Sequence, residues 1–184
     1  MLGDHELYSL FLTGDNSSYD QLMIRYGDSL TFYLNGYLHN WQDAEDLMIE
    51  AFARIMVKRP SLRTTNFKAY LYKTARNLAT RFHEKKSRAR IFSLEELQND
   101  PEGSMLTERI LVDEERKEAL HLCLERIEPE LKEAIWLVYF ENMSYADAAS
   151  VLGVNTKRID HLLTRGKVHL KKELEKEGIT HAYE

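Results

Sequence analysis

Between Ser144 and Arg165 the chain carries three helix-boundary residues spaced to give two short helices joined by a tight turn. Ser144 has a hydroxyl able to accept from a backbone N–H three positions on, and Asp147 stands there, the pattern of a capping box. Gly153 follows Leu152, where a sharply ending helix needs a residue that tolerates positive φ. Asn155 can cap a second helix. Ala148, Ala149, Leu152, Val154, Ile159, Leu162 and Leu163 form an apolar set that would pack the two helices together. The pattern predicts a helix-turn-helix, a motif that places its second helix in the DNA major groove. Lys157, Arg158, Asp160, His161, Thr164 and Arg165 are left facing outward, all able to hydrogen-bond. A helical hairpin with a solvated face has the same spacing, so the motif alone leaves that reading open.

Charge sharpens the choice. The net charge of −5 over 184 residues argues, on average, against a nucleic-acid binder. The average hides an asymmetry. Residues 54–90 hold twelve basic residues against one acidic residue, Glu84, whereas residues 1–53 hold nine acidic residues against Arg25 alone. A basic block of that strength is the electrostatic footprint of a phosphate-binding surface, since a solvated helical face usually mixes its signs.

The rest of the chain is helical by periodicity. Three prolines and eight glycines leave little room for an all-β fold. Apolar residues recur at three- and four-residue steps over 4–13, 18–39, 41–59, 66–86, 107–127, 131–141 and 155–177. Residues 87–106 break the pattern with serines, Pro101, Gly103 and acidic residues. The expectation is an all-α chain of two small helical domains, 1–90 and 113–184, joined by an acidic linker over 91–112. One cysteine, Cys123, and seven histidines without ligand spacing point to no disulfide, metal or cofactor. No leader pattern and no long apolar run appears, so a cytoplasmic protein without membrane insertion is expected.

Two helices carry surface chemistry. On 66–86 the inward stripe is Phe67, Leu71, Ala75, Leu78 and Phe82. Lys73, Arg76, Asn77 and Thr80 lie opposite, with Lys68, Tyr70, Tyr72 and Arg81 on the flanks. Cations track phosphates, and aromatic faces stack on unpaired bases for about 1–3 kcal/mol each, a mixture suited to single-stranded or melted DNA. Tyr70 and Tyr72 are equally well read as half-buried core. On 41–59 the outer face holds Asp43, Asp46, Ile49, Glu50, Ala53 and Val57. Exposed Ile and Val among carboxylates suggest a protein-binding face. No catalytic constellation is visible: there is no phosphate loop, HExxH or nucleophile elbow, so an enzyme is not expected.

Three stretches together resemble one family. Asp43-Ala44-Glu45-Asp46-Leu47-Met48-Ile49-Glu50-Ala51-Phe52 resembles the core-binding segment of sigma-70-type sigma factors, and Phe67 to Leu78 resembles the segment that follows it. Leu124 to Leu174 resembles region 4, including the run from Ser144 to Val154 and the tail from Arg165 to Leu170. With regions 2 and 4 and a short linker, the chain resembles the extracytoplasmic-function (ECF) group. The resemblance implies that Asp43, Asp46, Ile49, Glu50 and Ala53 meet the β′ clamp helices of core RNA polymerase. It implies that Arg63, Asn66, Lys68, Tyr72, Lys73, Arg76, Asn77 and Thr80 take the −10 element as single strand, with a base flipped into the loop Pro60–Asn66. Lys157, Arg158, Asp160, His161, Thr164 and Arg165 would read the −35 element while region 4 rests on the β flap. Many members of the family are held inactive by an anti-sigma factor, which adds a partner class to consider. The chain departs from the family at Tyr70, where Trp is usual, at Arg81, and at Asp160, His161 and Leu162 in the recognition helix.

A stand-alone helix-turn-helix regulator is the competing reading. It needs neither the basic, aromatic helix over 66–86 nor the acidic outer face over 41–59, and those two features discriminate.

Overall fold

The computed structural model describes residues 2–62, 66–92 and 114–179. No strand occurs among them, and the chain divides into two compact units, Met1–Ser104 and Met105–Glu184. Of the expected linker over 91–112, Ile91 and Phe92 close a helix and the remainder lies outside the described residues.

The first unit holds α1 (Asp4–Leu12), α2 (Asn16–Leu38), α3 (Trp41–Lys58) and α4 (Phe67–Phe92). α2 packs against the other three, and α4 against α1, α2 and α3. Side chains set three of the starts: Asp15 accepts from the Ser17 N–H at 3.0 Å, Asn40 from Asp43 at 2.9 Å and Asn66 from Ala69 at 2.7 Å. α2 and α3 end on residues in the left-handed region, His39 at φ 49° and Arg59 at φ 43°. Each returns its N–H to the helix, to Asn35 and Ile55, and so satisfies a carbonyl that the helix end would orphan.

The core of this unit is aromatic. Phe11 and Tyr19 stand 4.4 Å apart by ring centroid, and Tyr8 and Phe67 5.3 Å. Such pairs contribute about 0.5–1.5 kcal/mol each beyond their burial. Buried phenols need acceptors. Tyr19 donates to the Phe52 carbonyl at 2.6 Å and Tyr8 to the Pro60 carbonyl at 2.8 Å. Burial pushes the Tyr8 phenol up to about 12, so it remains a donor at neutral pH. At the edge, Asp4 receives both Arg25 and Tyr26 and ties α1 to α2.

The second unit holds α5 (Glu114–Glu125), α6 (Pro129–Ile135), α7 (Tyr145–Leu152) and α8 (Thr156–Lys176). The single helix expected over 131–141 is instead α6 followed by a π-helical turn, Trp136–Phe140. That wider turn brings Trp136 and Phe140 into a parallel stack at 4.7 Å, and the Trp136 indole N–H donates to Glu141 at 3.2 Å. The three boundary residues of the helix-turn-helix take the expected roles. The Ser144 hydroxyl accepts from the Asp147 N–H and donates to the Asp147 carboxylate; Gly153 adopts φ 71°; Asn155 accepts from the Arg158 N–H at 2.8 Å.

α8 crosses α6 at Gly166. A Cβ there would lie 2.9 Å from Ile135 Cδ1 and 3.2 Å from its Cγ1, and Ile135 is buried. Gly166→Val should therefore lower the stability of the chain by about 2 kcal/mol through overpacking, read as a fall in the urea midpoint. An unchanged midpoint would mean the two helices can part without cost.

Candidate nucleic-acid and protein interfaces

The outer face of α3 exists because its inner face is complete. Ala44, Leu47, Ala51, Phe52 and Ile55 are buried, which turns Asp46, Ile49, Ala53 and Val57 outward. Ile49 is 52% exposed and Val57 85%. Asp43 and Glu50 are half-buried at the margins. Glu50 is ion-paired with Arg54 at 2.6 Å, and Asp43 lies 3.9 Å from Lys86 of α4. The Gln42 amide donates to Asp46 at 3.5 Å. All five residues expected at a protein contact thus share one side of a single helix: an apolar line bordered by carboxylates.

α4 divides more sharply. Lys73, Asn77 and Thr80 are exposed and lie within about 60° of one another around the helix axis, with Arg76 half-buried beside them. The Thr80 hydroxyl donates to the Arg76 carbonyl at 3.0 Å. Lys68 is held over the rings of Tyr26 and Tyr72, at 5.5 and 5.7 Å from their centroids. Tyr70 is half-buried, and Asn66 is exposed while capping the helix. Arg63 lies outside the described residues.

Tyr72 requires a correction. The sequence reading grouped it with residues that meet DNA, but its side chain is fully buried. It packs on Tyr33 at 5.1 Å, and its hydroxyl lies 2.9 Å from that of Ser29. It presents no face to a base. Periodicity anticipated an inward stripe one residue wide. Because α4 packs against three helices, Phe67, Ala69, Leu71, Tyr72, Ala75, Leu78 and Ala79 are all buried, while Phe82, expected inward, is half-exposed.

On α8, Ile159, Leu162, Leu163 and Gly166 face inward. Lys157, Asp160, His161 and Thr164 are exposed. The other two expected DNA contacts are engaged within the unit. Arg158 Nη2 lies 2.6 Å from Glu130 Oε2, and Arg165 Nη2 lies 3.1 and 3.3 Å from the two carboxylate oxygens of Glu128. Neither glutamate stands out in the sequence, for both precede the motif and resemble ordinary acids at a helix N-terminus, Glu128 before α6 and Glu130 in its first turn. Among the described residues no cluster of His, Cys, Asp or Glu could hold a metal ion, and no helix is long and apolar enough to cross a membrane.

The family model for sigma-70 region 2 matches residues 22–89, and that for sigma-70 region 4 matches residues 117–170. The chain is 28% identical over 171 residues to the ECF RNA polymerase sigma factor SigE of Mycolicibacterium smegmatis, covering 89% of this chain and 65% of that protein. It is 23% identical over 184 residues to the RNA polymerase sigma-H factor of Pseudomonas aeruginosa, covering 94% of each. The chain thus spans a little under two thirds of the first relative and nearly all of the second. Its fold is like that of the sigma factor RpoE from Bartonella quintana, solved in complex with the anti-sigma factor NepR. That likeness has a TM-score of 0.63 at 23% identity and covers 85% of this chain and 96% of that one.

Removing the buried Tyr72 side chain should destabilise the first unit. Tyr72→Ala is expected to cost about 3–5 kcal/mol of stability, while Lys73→Ala next to it stays within about 0.5 kcal/mol, both read from urea unfolding. Equal, small effects would return Tyr72 to the surface.

Proposed function

Because this chain belongs to the sigma-70 family, as a member of its ECF group, we propose that it is an alternative sigma factor that recruits core RNA polymerase to promoters. In this reading residues 1–90 are region 2, residues 113–184 are region 4, and residues 91–112 connect them. The outer face of α3, with Asp43, Asp46, Ile49, Glu50 and Ala53, meets the β′ clamp helices. The strip of Lys73, Arg76, Asn77 and Thr80, with Lys68 and Asn66 beside it, follows the −10 element as it opens, and Arg63 takes part with them. α8 lies in the major groove of the −35 element while the second unit rests on the β flap. The protein performs no bond chemistry of its own; polymerase does that, in the cytoplasm.

One observation carries the reading. The first unit presents an apolar face fringed with carboxylates on α3 and a cationic row on α4. These surfaces differ in chemistry, so one suits a protein and the other a polyanion. A factor that must hold polymerase and melted DNA together needs both. A stand-alone regulator of duplex DNA needs the second unit and leaves the first without employment. The solved RpoE relative has an anti-sigma factor bound. An inhibitor of that class is a natural partner here too, and it would compete for the faces that polymerase uses.

The α3 assignment is tested by reversing charge. Asp46→Lys together with Glu50→Lys should lower affinity for core polymerase by about tenfold or more in competition against a labelled sigma factor, since like charges at a complementary interface cost several kcal/mol. Undiminished competition by the double variant would exclude this face as the polymerase contact.

A further inference from the structure

α6 and α8 approach closely because residue 166 has no side chain. That approach brings the first turn of α6 beside one edge of α8. Arg158 and Arg165 are seven residues apart, about two helical turns, and so share that edge. Glu130 and Glu128 meet them in the same order along the contact. Carboxylates suit this end of α6 whatever the arginines do, because the backbone N–H groups there carry partial positive charge. Both glutamates thus stand at the N-terminal end of α6, and the arginines of α8 pair with them there.

The consequence is a smaller reading set. Lys157, Asp160, His161 and Thr164 occupy the outward face. The two guanidiniums best suited to phosphates or to guanine edges lie to one side, already carrying carboxylate partners. We infer that Glu128 and Glu130 are specificity-determining residues: they withhold Arg165 and Arg158 from the DNA backbone and leave base discrimination to Lys157, Asp160, His161 and Thr164. This rests on the reading of α8 as the helix that enters duplex DNA. Exposed pairs of this kind are weak, worth less than about a fivefold preference each. They are suited to suppressing adventitious binding, and a favourable sequence can still draw the arginines away.

The experiment uses the full chain and a random-sequence DNA duplex, titrated across a range of salt. Glu128→Gln with Glu130→Gln should tighten binding by roughly three- to tenfold at low salt. It should also steepen the slope of log affinity against log salt by up to about 0.9 per released arginine. In a chain that also carries Arg158→Ala and Arg165→Ala, the same Glu→Gln changes should have little effect. Any contribution of the basic α4 is common to all four proteins and cancels from the comparison. Unchanged affinity and slope in the Glu→Gln variant would overturn the inference. An equal gain in the arginine-free background would overturn it as well, because the carboxylates would then act by repelling phosphate and not by holding the arginines. If α8 contributes nothing to duplex binding, Lys157→Ala with Arg158→Ala and Arg165→Ala, made in the Glu128→Gln and Glu130→Gln chain whose arginines have lost their carboxylate partners, will leave affinity untouched. That outcome removes the DNA reading of α8 itself and is distinguishable from the first two.

Discussion

Phe67, Leu71, Tyr72, Ala75 and Ala79 turn one side of α4 wholly inward, and that burial is what holds Lys73, Asn77 and Thr80 in a row outside. Each large side chain so buried contributes about 1.5–3 kcal/mol, far more than any single surface contact on the opposite face. The outward row is thus held in place for reasons unrelated to its own chemistry. The phenols reinforce this. Tyr8 and Tyr19 hydrogen-bond to carbonyls of Pro60 and Phe52, and Tyr72 meets Ser29, so the aromatic core carries polar groups without leaving them unpaired. Tyr8 has a second effect: it fastens the residue that opens the stretch between α3 and α4 to the helix at the start of the chain.

The second unit is organised differently. Its motif is defined by caps at each boundary, and its helices are set against one another by the absence of a side chain at Gly166. Stabilisation by caps and by exposed ion pairs is modest, about 1 kcal/mol for a cap and less for a pair. Small terms of this size can be overcome by a ligand, which is compatible with the DNA-binding role proposed for α8.

Much of this was readable in the residues, and the limits have physical causes. Ser144, Gly153 and Asn155 declared the helix-turn-helix because a cap is a local requirement on one residue type. The outer face of α3 followed from a period of 3.6 with its apolar positions filled. Tyr72 was misplaced because periodicity shows which side of a helix points inward but not how many neighbours it meets there. The π turn at Trp136–Phe140 has no periodic signature; it rests on a stack of two rings and on the hydrogen bond from Trp136 to Glu141. The Glu130–Arg158 and Glu128–Arg165 pairs join residues 28 and 37 positions apart, so no local pattern announces them. Those pairs engage two of the six residues expected to meet DNA and leave the other four on the outward face of α8.

In the proposed function one chain joins polymerase to promoter DNA and opens the duplex with it. The direct measurement combines core polymerase from the same cell with this chain on a library of that cell's genomic fragments. Transcript 5′ ends are mapped, and unpaired thymines are probed with permanganate. Discrete starts that core polymerase alone does not produce are expected, each preceded by a permanganate-reactive stretch that disappears when either the chain or the polymerase is omitted. Occupancy of duplex sites by the chain alone, with no new starts and no reactive thymines when polymerase is present, would contradict the proposed function.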